Sequence, residues 1–305
     1  MTLKLSEKDL LQAAHLLKNG KIIAFPTETV YGLAAPIFQP DSISQIFQVK
    51  GRPSDNPLIA HIFQISDVEQ IASFIPDEAY LLMETFFPGP LTLVLPKHPA
   101  VPEVVSGGGK TIAFRSPAHL LARKLIQLVG QPLVAPSANL SGKPSPTSME
   151  HVLQDFEGKI EAVIDGGTCS IGIESTVLSL CHPHEPLLLR PGTISAEELE
   201  GILKRKVSQG AHDQKPLSPG MKYKHYAPKA KIFIFHDKHQ MEHHLQEAPS
   251  KLRKVGVPTA LNLYAILRAS DLEGCEEICF YCDEATYAQK GLMNRLLLAA
   301  GKKLE

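Results

Sequence analysis

No apolar stretch in this chain of 305 residues approaches the roughly 20 needed to cross a bilayer as a helix, so no membrane span or membrane partner is expected. No secretory leader is expected either. The opening "MTLKLSEKDLLQAAHLLKNG" is too polar for a signal peptide's apolar region and reads as a capped amphipathic helix, which makes a cytoplasmic location the expectation. Net charge is almost missing, since 31 Lys and Arg against 32 Asp and Glu leave −1. The chain therefore has no general basic field for nucleic acid, and any anion site has to be a local cluster. Cysteines number five, an odd count that gives no disulfide framework. What remains is a chain with 44% hydrophobic residues, long enough for two globular domains.

Up to about residue 207, short apolar runs alternate with helical patterns. "KIIAF", "PLIAHIF", "LTLVLP", "TIAFR", "PLVAP", "EAVID", "STVLSL" and "PLLLR" read as strands. Ser6 with Asp9 resembles a helix capping box, with Gly20 as the stop. Asp41 opens "DSISQIFQVK", Gly51 closes it, and Thr147 with Glu150 and Ser195 with Glu198 are further boxes. The pattern predicts an α/β domain over residues 1–207 with a twisted, mixed open sheet rather than a strict parallel repeat. Residues 208–230 are rich in Pro, Gly and Lys without periodicity and read as a linker. "KIFIF", "KVGVP" and "EICFYC" then predict strands, and "DEATYAQKGLMNRLLLAAGKK" predicts one helix. Together they make a small α/β domain over residues 231–305, near the lower limit for an independent core.

Ligands of open α/β sheets sit beyond the carboxyl ends of strands. Polar clusters stand at such ends in "FPTETVYGL", at Arg115-Ser116-Pro117 and at Ser137-Ala138-Asn139. Any one of them reads equally well as turn chemistry, but three aligned with strand ends favour a site. In "QVKGRPSDNPLIAHI", Gly51 lets the chain reverse so that Lys50 and Arg52 leave one turn together. Two cations that close suit a polyphosphate, the plain alternative being a solvated basic turn. Asn56 and His61 follow on the same segment.

"SGGGKT" resembles the tail of a Walker A loop, but Val104 stands where that loop needs glycine and "KTIAFR" continues as a strand, so a P-loop is rejected. Cys275, Cys279 and Cys282 have an iron–sulfur spacing, yet on a strand Cys279 and Cys282 would point to opposite faces. "HDKHQMEHH" reads as a polar helix face sooner than a metal patch. "SPGMKYKHYAP" interleaves aromatics with cations, which suits a nucleotide or RNA, the alternative being packing against a domain.

"FPTETVYGL", "KGRPSDNPL", "PGPLTLVL", "APSANLSGKPSPT", "IESTV" and "LLRPG", in this order, resemble the threonylcarbamoyl-AMP synthases of the YrdC-like fold. The linker and the trailing domain, with "ALNLYAILR" and "GLMNRLLLAA", resemble the two-domain form of that family, whose small domain is Rossmann-like. The resemblance implies a nucleotidyltransferase that makes threonylcarbamoyl-adenylate and pyrophosphate from L-threonine, bicarbonate or CO2, and ATP, with Mg²⁺. It also implies that the product passes to a transferase complex modifying tRNA, so that tRNA contact with this chain is indirect.

By motif matching, the family's catalytic tetrad falls on Lys50, Arg52, Ser137 and Asn139. ATP would contact Arg52, Asn56, Thr111, Ser137, Ser145 and Arg190, with His225 or Tyr226 of the linker closing over it as a lid. Threonine would contact Thr29, His61, Arg115, the Ala135 backbone and Ser175, and no metal ligands are assigned to the protein. Thr27 and Glu28 either shape the turn or help place the metal, and Tyr31 packs beneath the site. Two rivals remain: a double-stranded RNA-binding module, disfavoured by the neutral charge, and carbamoyl transfer of the hydrogenase-maturation type, whose accessory segments have no counterpart here.

Overall fold

In the computed structural model of the protein, the described residues are 1–210, 226–247 and 253–302. Strands β1 (Leu3–Leu5), β2 (Ile23–Phe25), β3 (Gly32–Pro36), β4 (Ile59–His61), β5 (Leu91–Pro96), β6 (Thr111–Arg115), β7 (Leu133–Val134), β8 (Ala162–Ile164), β9 (Thr176–Ser179), β10 (Leu187–Arg190) and β11 (Ser208–Gln209) form one sheet. Its order is β1-β8-β2-β3-β7-β4-β6-β5-β9-β10-β11. Parallel pairs (β1 with β8, β4 with β6, β5 with β9) stand in the same sheet as antiparallel ones (β2 with β3, β3 with β7, β5 with β6), so the sheet is mixed as expected.

Helices α1 (Leu10–Lys18), α2 (Pro40–Lys50), α3 (Asp77–Phe86), α4 (Glu103–Ser106), α5 (Leu120–Val129), α6 (Met149–Phe156) and α7 (Ala196–Leu203) cover both faces. Strand alternation divides the core. Ile23 and Phe25 point to the α1–α5 side with Leu17 and Leu125, while Ile22 and Ala24 point to the side of Ile46, Leu82 and Phe156. Each of the eight runs read as strands here contains a strand.

The differences have local causes. Leu3–Leu5 pairs with β8 instead of opening the first helix, because Leu5 is buried by sheet pairing while Ser6 and Asp9 form the capping box just behind it. Thr147 is not the cap of α6. Ser148 is, its side chain accepting from the His151 amide, and Thr147 instead donates its own amide to His151 Nδ1.

The second sheet, β12 (Lys231–Phe235), β13 (Arg253–Gly256) and β14 (Glu277–Tyr281), is fully parallel in the order β12-β14-β13. Helices α8 (Lys238–Glu247), α9 (Leu263–Leu272), α10 (Glu284–Ala288) and α11 (Lys290–Ala299) accompany it. The single helix expected at the end is two, because Gln289 leaves helical geometry at ψ 80°. The small core of Leu263, Tyr264, Ile278 and Leu296 continues into Val30 and Ile173 of the large domain. Backbones meet at that boundary. A Cβ on Gly291 would lie 2.5 Å from the Gly192 carbonyl oxygen, and one on Gly172 would lie 2.3 Å from that of Ala260.

Candidate active site

A cleft enclosing about 730 Å³, partly open to solvent, lies at the centre of the sheet and beside the small domain. Its walls include Thr29, Lys50, Arg52, His61, Arg115, Ala135, Ser137, Asn139, Ser175, Arg190 and Tyr226. Residues far apart in the chain thus meet in one space.

Gly51 takes the left-handed conformation, φ 60°, at the end of α2, and so turns Lys50 and Arg52 out together. Lys50 is buried, and its Nζ donates to the backbone carbonyls of Ser137 (2.6 Å) and Asn139. Two of its three donors are spent on fixing the loop, so one is left for the cleft. Burial, and next the charge of Arg52, pull the Lys50 pKa well below the ordinary lysine value. The Arg52 guanidinium is braced from behind, with Nε to Asn56 O at 3.3 Å and Nη2 to Pro57 O at 2.9 Å. Ser137 Oγ donates to Asn139 Oδ1 at 2.6 Å, and Asn139 Nδ2 donates to Leu140 O and Lys143 O.

On the opposite wall, Arg115 ends β6 with its side chain 4% exposed. Nη1 donates to Thr29 Oγ1 at 2.9 Å and stands 3.5 Å from Glu28 Oε1, whereas Nε is buried without a partner. A buried donor left over beside a cleft is what a ligand acceptor would satisfy. His61, at the end of β4, places Nδ1 3.2 Å from Ile59 O and its ring edge-on to Phe25. Burial, and then the Arg115 charge, push its pKa well below 6.5, so it is neutral at pH 7. The Ala135 amide donates to Ile59 O, so its carbonyl is what it can offer a ligand. Ser175 Oγ lies 2.7 Å from Thr92 Oγ1 and accepts from Arg190 Nη2 at 3.1 Å.

Three of the expected ATP contacts are not on the cleft wall. Asn56 and Ser145 are buried just behind it, Asn56 under Arg52 and Ser145 donating to Glu174 Oε1 at 2.6 Å. Thr111 begins β6 opposite Pro96, following α4 and a left-handed Gly107. A helix leading into a strand is the reverse of a P-loop. His225 and residues 218–224 of the expected lid lie outside the described residues, while Tyr226 reaches the cleft at φ 64° and stacks on Tyr264 at 5.2 Å.

Sequence reasoning missed Glu174, although it sits in the quoted "IESTV". Among the described residues it is the one acid on the cleft wall. Burial opposes its ionisation, but the charges of Arg295 and Arg190 prevail and hold its carboxyl at about 2. Its partners Tyr264 and Arg295 lie in "ALNLYAILR" and "GLMNRLLLAA", where a buried arginine in an apolar helix was the available signal.

Elsewhere, His244, Glu277 and Cys279 bring ligand atoms within 4.8 Å of one another, but Arg253 Nε stands 2.7 Å from Glu277 Oε2, and a cation there opposes a metal. The remaining histidines of α8, His239 and His243, pair along the helix with Glu242 and Glu247. Among the described residues no helix is long and apolar enough to cross a membrane.

Residues 15–192 match the Sua5/YciO/YrdC family, described as "Telomere recombination", and residues 194–301 match "Threonylcarbamoyl-AMP synthase, C-terminal domain". The chain is 42% identical to the threonylcarbamoyl-AMP synthase of Pyrococcus abyssi and 43% identical to that of Bacillus subtilis. Each match covers 99% of this chain and 96% of the relative. The crystal structure of P. abyssi Sua5 complexed with L-threonine superposes with a TM-score of 0.92 at 40% identity, covering 100% of both chains. The chain belongs to the Sua5/YciO/YrdC family, in the two-domain form that carries the synthase C-terminal domain.

Proposed function

We propose that the protein is an L-threonylcarbamoyladenylate synthase, a nucleotidyltransferase. It would take L-threonine, bicarbonate or CO2, and ATP to threonylcarbamoyl-AMP and pyrophosphate. The observation that carries this reading is the meeting of two residue sets in one cleft: Thr29, His61, Arg115, Ala135 and Ser175 on one side, and Lys50, Arg52, Ser137 and Asn139 on the other. The names of the P. abyssi and B. subtilis relatives and the threonine complex of the P. abyssi structure support it.

The threonine amine adds to the carbon of CO2 and loses a proton, giving a carbamate; from bicarbonate, water leaves. A carbamate oxygen then bonds to the α-phosphorus of ATP, and the bond from that phosphorus to the bridging oxygen breaks, its electron pair leaving with pyrophosphate. Nucleophile and electrophile are both anionic, so their repulsion is the chief obstacle. Lys50 and Arg52 oppose it with charge held in place before substrate arrives. Arg115 offers its unpartnered Nε to the amino acid carboxylate, which keeps that group from competing for the phosphorus. Neutral His61 adds no second cation beside Arg115. Thr29 and Ser175 present hydroxyls to the substrate's own, a means of rejecting valine. Binding in the right geometry does the rest, and no protein nucleophile takes part.

Magnesium enters with the nucleotide, as part of the substrate. Among the described residues the cleft offers no free carboxylate to a resident ion, because Glu174 is engaged by Ser145, Tyr264 and Arg295, and Mg²⁺ sites normally supply one. The product would feed a separate complex that modifies tRNA. Pyrophosphate release with threonine and bicarbonate omitted in turn tests the reading. Release that continues undiminished without threonine refutes it.

A further inference from the structure

Two arginines of the small domain end inside the large one. Arg268 on α9 donates through Nη2 to Asp155 Oδ2 (2.8 Å) and Pro144 O (2.7 Å), and Asp155 Oδ2 also accepts the Leu140 amide. It thereby braces the segment that carries Asn139 and Ser145. Arg295 on α11 is fully buried and reaches the cleft wall itself. Its Nε donates to Glu174 Oε2 at 2.7 Å, Nη2 to Glu174 O at 3.2 Å and Nη1 to Pro191 O at 2.8 Å. Tyr264 donates to the same Oε2 at 2.8 Å, while Ser145 of the large domain donates to Oε1. The Gly291–Gly192 backbone contact, one helical turn before Arg295, sets where the guanidinium lands.

We propose that Arg295 is a positioning residue for the anionic nucleotide: seated from the small domain, it neutralises and orients Glu174, which would otherwise repel the triphosphate from inside the cleft. The inference rests on the reading of this cleft as the threonine and ATP site. It gives the small domain a defined electrostatic task. Lys50, Arg52 and Arg190 present positive charge to the nucleotide only while Glu174, the one acid among the described wall residues, is cancelled. Glu174 also precedes Ser175, whose carbonyl and hydroxyl are both held by Arg190, so the pair fixes the backbone at the junction of the two half-sites.

The test is steady-state pyrophosphate release by the full chain carrying Arg295→Met, Glu174→Gln or both. Arg295→Met raises the ATP KM on the order of ten- to a hundredfold and the threonine KM much less. Its ATP KM falls again at lower pH, as the orphaned carboxyl, raised by burial once its cation is gone, takes up a proton. Glu174→Gln alone lowers the ATP KM, and the double variant returns it to within a few-fold of the parent at neutral pH. Should Arg295→Met fail to fold, the other two variants decide. An ATP KM unchanged by Arg295→Met, or raised by Glu174→Gln, or left high in the double variant, overturns the inference. A parent protein without threonine-dependent release overturns the reaction instead, whereas normal parent turnover with an indifferent Arg295→Met overturns only this pairing.

Discussion

Replacing Arg115 separates what that residue does for the fold from what it does for threonine. Its guanidinium lies between Thr29 Oγ1 at 2.9 Å and Glu28 Oε1 at 3.5 Å, with both ionic side chains under a tenth exposed. Arg115→Met leaves the Glu28 carboxylate buried with only the Ala118 amide, 3.0 Å from Oε2, to stabilise it. Breaking one side of a buried pair costs about 3–5 kcal/mol. Threonine in turn loses a charge-assisted hydrogen bond of about 1.5–3 kcal/mol, roughly a 10- to 150-fold rise in its KM. The partner change Glu28→Gln removes the uncompensated charge, so the double variant recovers most of the stability. It does not recover threonine. The assay is thermal unfolding alongside threonine-dependent pyrophosphate release for both single variants and the double. If the double variant regains the threonine KM together with its melting temperature, Arg115 serves only to neutralise Glu28, and the carboxylate clamp is wrong.

On the proposed reading, Lys50→Ala and Arg52→Ala each lower threonine-dependent pyrophosphate release by about a hundredfold or more, because each removes charge from the cleft wall that would face the phosphates; release within a few-fold of the parent would place the nucleotide elsewhere. Gly291→Ala puts a methyl 2.5 Å from the Gly192 carbonyl, where backbone faces backbone. It shifts α11 and raises the ATP KM as Arg295→Met does, and an unaffected KM shows that the helix can move without consequence. Acid stability follows from Glu174, whose carboxyl is lowered to about 2 against burial by Arg295 and Arg190. A depressed folded-state pKa adds stability that is present above the ordinary glutamate value of 4.5 and lost as pH falls toward 2. Denaturation curves across that window should therefore lose stability more steeply for the parent than for Glu174→Gln, and parallel curves contradict the pairing.

Most strands were legible because they are short β-branched or leucine runs ending in Pro, Arg or Ser, the chemistry of strand ends at a site. β3, "GLAAP", was not, since Gly, Ala and Pro are poor strand formers and only its pairing with β2 and β7 makes it one. β1 was hidden for a similar reason: its partner β8 lies far along the chain, and two leucines beside a helix look like its first turn. The nearest glycine to the break at Gln289 is Gly291, which lies inside α11 and so does not mark the break. At the site, local motifs reveal many of the residues that line the cleft, because backbone turns such as Gly51 aim them. They do not reveal Arg295, which acts on Glu174 across a separation of 121 residues.

"FPTETV" shows how such wiring concentrates polar groups at one strand end. The Thr27 hydroxyl donates to Val30 O at 2.7 Å and accepts the Thr29 and Val30 amides, so Thr27 closes the turn. Glu28 faces away to the Ala118 amide and Arg115, which makes it a counter-ion within the fold and leaves it little to give a metal. Tyr31 is fully buried, bonded through its hydroxyl to Gly167 O and the Gly166 amide, and holds the neighbouring loop. Of these polar side chains Thr29 faces the cleft, beside Val30, with its oxygen 2.9 Å from both Thr27 Oγ1 and Arg115 Nη1. A hydroxyl gripped from two sides has little rotational freedom to lose when a ligand hydroxyl arrives. Thr29→Ser keeps that oxygen and should keep threonine selectivity over valine, whereas Thr29→Val should lose it; competition between the two amino acids in pyrophosphate release measures the difference, and equal selectivity in both variants removes Thr29 from recognition.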